Sequence, residues 1–266
     1  MTALVSLDHL TRRFGEFTAV NAITLEVAPG EVFGLLGPNG AGKSTTIKML
    51  TTLLQPTSGA ATIAGYDVVR RPAQARRVIG YVPQALSADG ALTGYENLLI
   101  FARLYDLPRR EAARRARQPL EFMGLAEAAD KLARNYSGGM IRRLEVAQAL
   151  LHEPQVLFLD EPTVGLDPVA RKAVWQRLSD IRAQTGMTIF LTTHYMEEAD
   201  SLCQRVAIMS HGEISAIGSP DELKASLGRP DATLDDVFER FTGDQLETGG
   251  SYRDTSRARR TAARLS

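Results

Sequence analysis

The hydrophobic positions at the start of the chain predict two strands. Residues 3–10 and 18–27 have apolar side chains in partial alternation with polar ones, which is typical of half-buried strands. The segment Phe14-Gly15-Glu16-Phe17 lies between them as a turn, and Pro29-Gly30 forms another turn after them. We therefore expect the first part of the chain to form a small antiparallel sheet.

Further along, short apolar runs alternate with segments whose apolar residues have helical spacing. Apolar runs predict strands at 32–36, 61–64, 78–82, 156–159, 187–191 and 206–209. Helical spacing predicts helices at 72–77, 95–104, 109–123, 140–151, 170–182 and 197–202. This order predicts an α/β fold of the P-loop NTPase type, with a mostly parallel sheet and an N-terminal antiparallel β subdomain. Because residues 93–152 show helices only, we expect an α-helical subdomain inserted at about 87–152.

The composition narrows the class of protein. The 266 residues are 44% hydrophobic and have no net charge, so the overall charge predicts no specific nucleic-acid partner. Cys203 is the only cysteine, which excludes an intramolecular disulfide framework and fits a reducing cytoplasm. We find no apolar run long enough to span a bilayer and no signal-peptide core at the N-terminus, and therefore expect any membrane contact to be peripheral.

A phosphate-binding loop follows the apolar run at 32–36. Its sequence is Gly37-Pro38-Asn39-Gly40-Ala41-Gly42-Lys43-Ser44, and Thr45 continues into a helix. Glycines allow the backbone N–H groups to surround an anion, and the helix N-terminus adds a partial positive charge. Lys43 would contact the β- and γ-phosphates, and the Ser44 hydroxyl would bind Mg²⁺. The loop predicts that the protein binds a nucleoside triphosphate.

Two adjacent carboxylates follow the apolar run at 156–159. They are Asp160 and Glu161, and ligands of open α/β sheets bind at the carboxyl ends of strands. We expect Asp160 to hold Mg²⁺ through water, and Glu161 to orient or deprotonate the attacking water. The pair alone would also fit a strand that ends in solvated acids.

Further motifs occur in a fixed order along the chain. They are Gln84 after the strand at 78–82, Tyr136-Ser137-Gly138-Gly139-Met140, Glu161-Pro162-Thr163, Gly165-Leu166-Asp167-Pro168 and His194. Together with the phosphate loop they resemble the ATP-binding-cassette (ABC) family of ATPases, and the resemblance extends from about Val5 to Gly243. We therefore expect an ABC ATPase domain over residues 1–243, with ATP and Mg²⁺ as its cofactors.

The resemblance also implies how the site is assembled. In this family two nucleotide-binding domains pair head to tail, and the signature loop of one covers the ATP bound by the other. Ser137, Gly138 and Gly139 look like that loop. The chain contains one phosphate loop and one signature loop, so it needs a second ATPase subunit, and a homodimer is the favoured form.

Individual roles follow from the same resemblance. Phe14 would stack on adenine, although Phe17 is close enough to compete for that role. Gln84 would contact Mg²⁺ and report to the transporter, and His194 would contact the γ-phosphate. Asp167 would cross the dimer interface.

Tyr136 and Met140 stand where the family most often has Leu and Gln. They are similar to the drug- and antibiotic-export branch, of the ABC-2 type and daunorubicin-resistance-like, as are the segments 92–98 and 233–238. The resemblance thus implies an ATPase that drives export of a drug, antibiotic or lipid-like substrate through a separate membrane permease, at the cytoplasmic face of the membrane. Two alternatives are an importer subunit and a soluble ABC ATPase of repair, translation or cluster assembly.

The end of the chain has a different composition. Residues 244–266 contain few residues that could be buried and include five arginines, at 253, 257, 259, 260 and 264. We expect a disordered basic tail. Because four of these arginines have helical spacing, we also hypothesise that the tail helps to hold the protein at anionic lipid headgroups or an acidic patch of the permease.

Overall fold

The computed structural model describes residues 3–243. The predicted basic tail at 244–266 lies outside the described residues. The ten strands within residues 3–243 are β1 (Val5–Phe14), β2 (Phe17–Val27), β3 (Val32–Leu36), β4 (Ser58–Ile63), β5 (Tyr66–Asp67), β6 (Ile79–Val82), β7 (Val156–Asp160), β8 (Thr188–Thr193), β9 (Arg205–Ser210) and β10 (Glu213–Gly218). The nine α-helices of the same range are α1 (Lys43–Leu50), α2 (Pro72–Arg77), α3 (Gly94–Leu104), α4 (Arg109–Phe122), α5 (Gly138–Leu150), α6 (Pro168–Thr185), α7 (Met196–Leu202), α8 (Pro220–Ala225) and α9 (Leu234–Thr242).

The strands form two sheets. The six-stranded sheet has the order β10-β9-β3-β8-β7-β6 and is parallel except for β10, which pairs antiparallel with β9. The four-stranded sheet has the order β2-β1-β4-β5 and is antiparallel. Both the α/β class and the mostly parallel sheet are therefore confirmed. The second sheet is larger than predicted, because it takes two strands from the chain after α1 as well as the two at the N-terminus.

Alternation along β7 explains how the two layers pack. Val156 and Phe158 belong to a core cluster between the two sheets, where the Phe158 and Phe190 ring centroids lie 5.5 Å apart. Leu157 and Leu159 point to the other face and belong to the cluster under the helices. Because both faces of the strand are covered, all five of its residues are buried.

Several element boundaries differ from those predicted. Strand β1 extends to Phe14, because Phe14 still pairs with Phe17 across the turn. Strand β10 and helices α8 and α9 are absent from the sequence prediction. Between β6 and β7 the structure has α3, α4, α5 and two short 3₁₀ turns. None of the helices within residues 3–243 has both the length and the apolar character needed to cross a bilayer.

Candidate functional site

The phosphate loop connects the buried end of β3 to the first turn of α1. At two positions of the loop only glycine fits, because neighbouring backbone atoms leave no room for a Cβ atom. A Cβ atom at Gly37 would lie 2.2 Å from the Met209 carbonyl oxygen, and one at Gly42 would lie 2.5 Å from the Ala19 carbonyl oxygen. Gly42 also has a φ of +108°, which side chains of L-residues rarely allow. The neighbouring strands therefore fix the loop closely against the sheet.

Lys43, the first residue of α1, is buried beneath this loop. Its Nζ donates hydrogen bonds to the carbonyl oxygens of Gly37 at 2.8 Å and Pro38 at 3.0 Å. The same Nζ lies 3.1 Å from Glu161 Oε1, at the end of β7. A buried ammonium group requires such partners, and here they hold it at the base of the loop.

Asp160 connects three elements of the site. Its Oδ1 accepts hydrogen bonds from Ser44 Oγ at 3.0 Å and from Thr192 Oγ1 at 2.7 Å. These hydroxyl and carboxylate oxygens are of the kind that Mg²⁺ prefers. Sequence reasoning found Asp160 and Ser44 but missed Thr192, whose only signal was its place at the end of a strand, two residues before His194.

Glu161 is the centre of a cluster of polar side chains. Its Oε2 accepts a hydrogen bond from Gln84 Nε2 at 3.2 Å and lies 3.3 Å from His194 Nδ1. Its backbone has a φ of +49°, and its N–H donates to Thr192 Oγ1 at 3.0 Å. Burial alone would raise the pKa of Glu161, but His194 and the charge of Lys43 outweigh burial and lower that pKa. Glu161 is thus ionised at neutral pH and can accept a proton.

The residues of the phosphate loop border an open cavity of about 320 Å³. Its lining consists of Phe14, Phe17, Ala19, Asn39, Gly40, Ala41, Gly42, Lys43, Ser44, Thr45, Gln84 and Glu161. Phe14 is 46% exposed and Phe17 is 65% exposed, so both rings are accessible to a planar ligand. The Arg12 guanidinium lies 4.5 Å from the centroid of the Phe14 ring. The cavity therefore brings both candidate adenine-stacking residues to the phosphate loop.

We expect Phe14→Ala to weaken binding of a fluorescent ATP analogue (TNP-ATP) by roughly tenfold, because stacking on a base contributes about 1–3 kcal/mol. Phe17→Ala, which removes the more exposed ring on the same turn, is the matched control and should change affinity less than about threefold. A larger loss in the Phe17 variant than in the Phe14 variant would assign the stacking role to Phe17.

The signature loop and the Asp167 loop lie next to each other, away from this cavity. Ser137 caps the N-terminus of α5, and its Oγ accepts a hydrogen bond from the Met140 N–H at 3.3 Å. Asp167 caps the N-terminus of α6, and its Oδ1 accepts hydrogen bonds from the N–H groups of Val169 and Ala170, both at 2.9 Å. A Cβ atom on Gly139 would lie 2.9 Å from the Ala170 Cβ, and one on Gly138 would lie 3.3 Å from a Leu166 methyl group.

Neither loop completes the phosphate site of its own chain. Among residues 3–243, the side chains that line the phosphate-loop cavity include neither Ser137 nor Asp167. Ser137 and Gly138, at the N-terminus of α5, are exposed, as an anion-binding helix start must be if its ligand comes from outside. On one chain the phosphate loop and the Ser137 loop are thus separate surfaces.

Comparisons with known proteins agree with this geometry. The sequence profile of the ABC transporter family matches residues 20–164. A linearmycin resistance ATP-binding protein of Bacillus subtilis is 42% identical over 225 residues, which are 85% of this chain and 72% of that protein. A daunorubicin/doxorubicin resistance ATP-binding protein of Streptomyces peucetius is 44% identical over 227 residues, which are 85% and 68% of the two chains. The Nod factor export ATP-binding protein I of Cupriavidus metallidurans is 44% identical over 248 residues, which are 93% and 79%.

Solved structures show the same fold. The ATP-binding subunit of an ABC transporter superposes with a TM-score of 0.78 at 32% identity, over 90% of this chain and 99% of that one. A dimeric ATP-binding cassette in a post-hydrolysis state, bound to ADP and Pi, superposes with a TM-score of 0.71 at 28% identity, over 81% and 98%.

Proposed function

The chain belongs to the ATP-binding family of ABC transporters, and from this premise we propose that it is the ATPase subunit of an exporter. Its substrate is Mg²⁺-bound ATP, and it works as a head-to-tail homodimer on a separate ABC-2 type permease at the cytoplasmic face of the membrane. The main support for ATP hydrolysis is one cluster, in which Lys43, Gln84 and His194 each lie within 3.3 Å of a Glu161 carboxylate oxygen.

The phosphate loop binds and orients the triphosphate. Lys43 is placed to move its hydrogen bonds from the loop carbonyl oxygens to phosphate oxygens. The N–H groups of the loop would surround the same phosphate oxygens. Mg²⁺ would neutralise charge on the β- and γ-phosphates, and the oxygens of Ser44, Gln84 and Asp160 fit its ligand preference.

Glu161 then acts on the attacking water. Because Glu161 is ionised, it can orient the water and accept a proton from it as the new O–P bond forms. His194 contacts the γ-phosphate, and Gln84 donates a hydrogen bond to Glu161 Oε2, the same oxygen that lies 3.3 Å from His194 Nδ1. The second subunit supplies Ser137, Gly138 and Gly139 to the same phosphate and Asp167 across the interface, which excludes bulk water but retains the attacking one.

The names of the relatives support export rather than import, since they describe resistance to linearmycin and to daunorubicin, and Nod factor export. Those substrates belong to the relatives. For this chain we propose the wider class of drug, antibiotic or lipid-like molecules.

The test is recovery with a partner in the organism that encodes the chain. An affinity-tagged chain should be recovered from the membrane fraction together with a polytopic permease, and the complex should hydrolyse ATP only with added Mg²⁺. Chelation with EDTA should abolish hydrolysis, and excess Mg²⁺ should restore it. Recovery as a soluble Mg²⁺-ATPase without a permease would instead assign the chain to the soluble class. Co-recovery of a solute-binding protein would indicate an importer.

A further inference from the structure

Helix α5 has a buried polar face that the proposed chemistry does not use. Arg142, Glu145 and Gln148 are only 2%, 3% and 2% exposed. Their spacing of three residues places them on one side of the helix. Burying such groups is unfavourable unless each is hydrogen-bonded, so the partners indicate what this face is for.

Arg142 binds the two peptide groups on either side of Gln84. Its Nη1 donates to the Pro83 carbonyl oxygen at 2.7 Å, and its Nη2 donates to the Gln84 carbonyl oxygen at 2.8 Å. The planar guanidinium donates to two successive carbonyl groups from two nitrogens in a fixed geometry, whereas a lysine would have to reach both from one nitrogen.

Glu145 continues the attachment further along the same loop. Its Oε2 lies 3.0 Å from Arg142 Nη1, while its Oε1 accepts hydrogen bonds from the N–H of Ser87 and from Ser87 Oγ, the latter at 3.1 Å. The Arg142 charge is thus compensated inside the protein, and the ion pair spans the loop from Pro83 to Ser87.

Gln148 and Asn97 extend the attachment to the start of α3. Gln148 Nε2 donates to Asn97 Oδ1 at 3.3 Å. Asn97 in turn bonds both backbone groups of Asp89, accepting from its N–H at 2.9 Å and donating to its carbonyl oxygen at 3.0 Å. Between Val82 and α3 the backbone is not part of either sheet, and hydrogen bonds from side chains hold it instead.

We propose that Arg142 and Glu145 are positioning residues for ATP hydrolysis, which act by fixing the backbone from which Gln84 reaches Glu161. Gln84 follows the end of β6, so strand pairing does not orient it. Without the two carbonyl contacts, the Gln84 amide loses its fixed position 3.2 Å from Glu161 Oε2. This inference rests on the proposed ATPase function.

The test compares two neighbouring arginines. Arg142→Gln should lower kcat for ATP about tenfold to a hundredfold, since small displacements in a catalytic cluster have effects of that order, with TNP-ATP affinity changed less than about threefold. Arg143→Gln is the matched control, because Arg143 Nη1 also donates to carbonyl groups, those of Met123 and Gly124 at 3.0 and 3.4 Å. Its kcat should stay within about threefold of wild type. Arg142→Lys should fall between wild type and Arg142→Gln.

A double-mutant cycle with Gln84→Ala separates positioning from a general structural role. If Arg142 acts through Gln84, Arg142→Gln should reduce kcat less than about threefold further in the Gln84→Ala background. An undiminished loss there, or wild-type kcat in Arg142→Gln alone, would overturn the proposal. Should Arg142→Gln fail to fold, Arg142→Gln combined with Glu145→Gln removes both buried charges and enters the same cycle. Absence of ATPase activity in the wild-type chain would instead contradict the proposed function.

Discussion

Glu161→Gln is expected to bind ATP with near wild-type affinity and to hydrolyse it at least about a hundredfold more slowly. Glutamine has the same shape, but it is neutral and cannot accept the proton of the attacking water. Binding should survive because the substitution releases Lys43 from its ion pair with the carboxylate, 3.1 Å away, and leaves the ammonium free for phosphate. Steady-state phosphate release measures the hydrolysis rate, and titration with TNP-ATP measures the affinity.

The slowed variant should also accumulate as an ATP-bound dimer. Size-exclusion chromatography with multi-angle light scattering, with and without Mg²⁺-ATP, reports this directly. Glu31→Gln is the matched control, because Glu31 is another buried carboxylate paired with a cation, Arg205 at 3.1 Å. Glu31 directly precedes β3, at the end of that strand opposite to the phosphate loop, and its substitution should leave kcat unchanged. Hydrolysis by Glu161→Gln at the wild-type rate would remove Glu161 from the mechanism.

Lys43→Ala should abolish measurable nucleotide binding, with a loss of affinity of about a hundredfold or more. The ammonium group is the only cation in the described range that lies inside the phosphate loop, where two loop carbonyl oxygens hold it. Its removal takes one positive charge from a buried site that must accept several negative ones. Lys48→Ala is the control, since Lys48 is exposed on the same helix and should bind TNP-ATP as wild type does.

Mixing Lys43→Ala with Ser137→Arg tests whether the phosphate loop and the Ser137 loop of one ATP site come from different chains. A bulky cation at Ser137 should prevent closure while leaving nucleotide binding by its own phosphate loop intact. In the mixed dimer one composite site has both substitutions and the other has neither, so part of the ATPase activity should return. Unchanged activity in Ser137→Arg alone, or no recovery in any mixture, would contradict the composite site.

Some residues of the candidate site could be predicted from the sequence alone. The phosphate loop and the Asp160–Glu161 pair were predictable because each is contiguous and its residue types follow from local chemistry. Their convergence was predictable in outline, since carboxyl ends of parallel strands meet at one edge of a sheet. The hydrogen bond from Ser44 Oγ to Asp160 Oδ1 links residues 116 positions apart and fulfils that expectation.

Other contacts could not be predicted from residues that are close together in the sequence. Arg142 and Arg143 are neighbours of identical type, yet only the rotation of α5 against the sheet decides which one faces the Gln84 loop. Glu198 reads as an ordinary helical acid, although its Oε1 accepts from Thr163 Oγ1 at 2.9 Å and Trp175 Nε1 at 2.8 Å. Burial is the main cause that raises the pKa of Glu198.

The sequence by itself determined the α/β class, the phosphate loop and the position of two adjacent carboxylates at the end of β7. These depend on periodicity and on residue types that are close together in the chain. Only the tertiary structure decided which side chains meet Glu161, which face of α5 holds the Gln84 loop, and that Ser137 and Asp167 lie away from their own phosphate loop. Such contacts depend on how helices rotate and pack against a sheet, which is set by the whole core and not by any short segment.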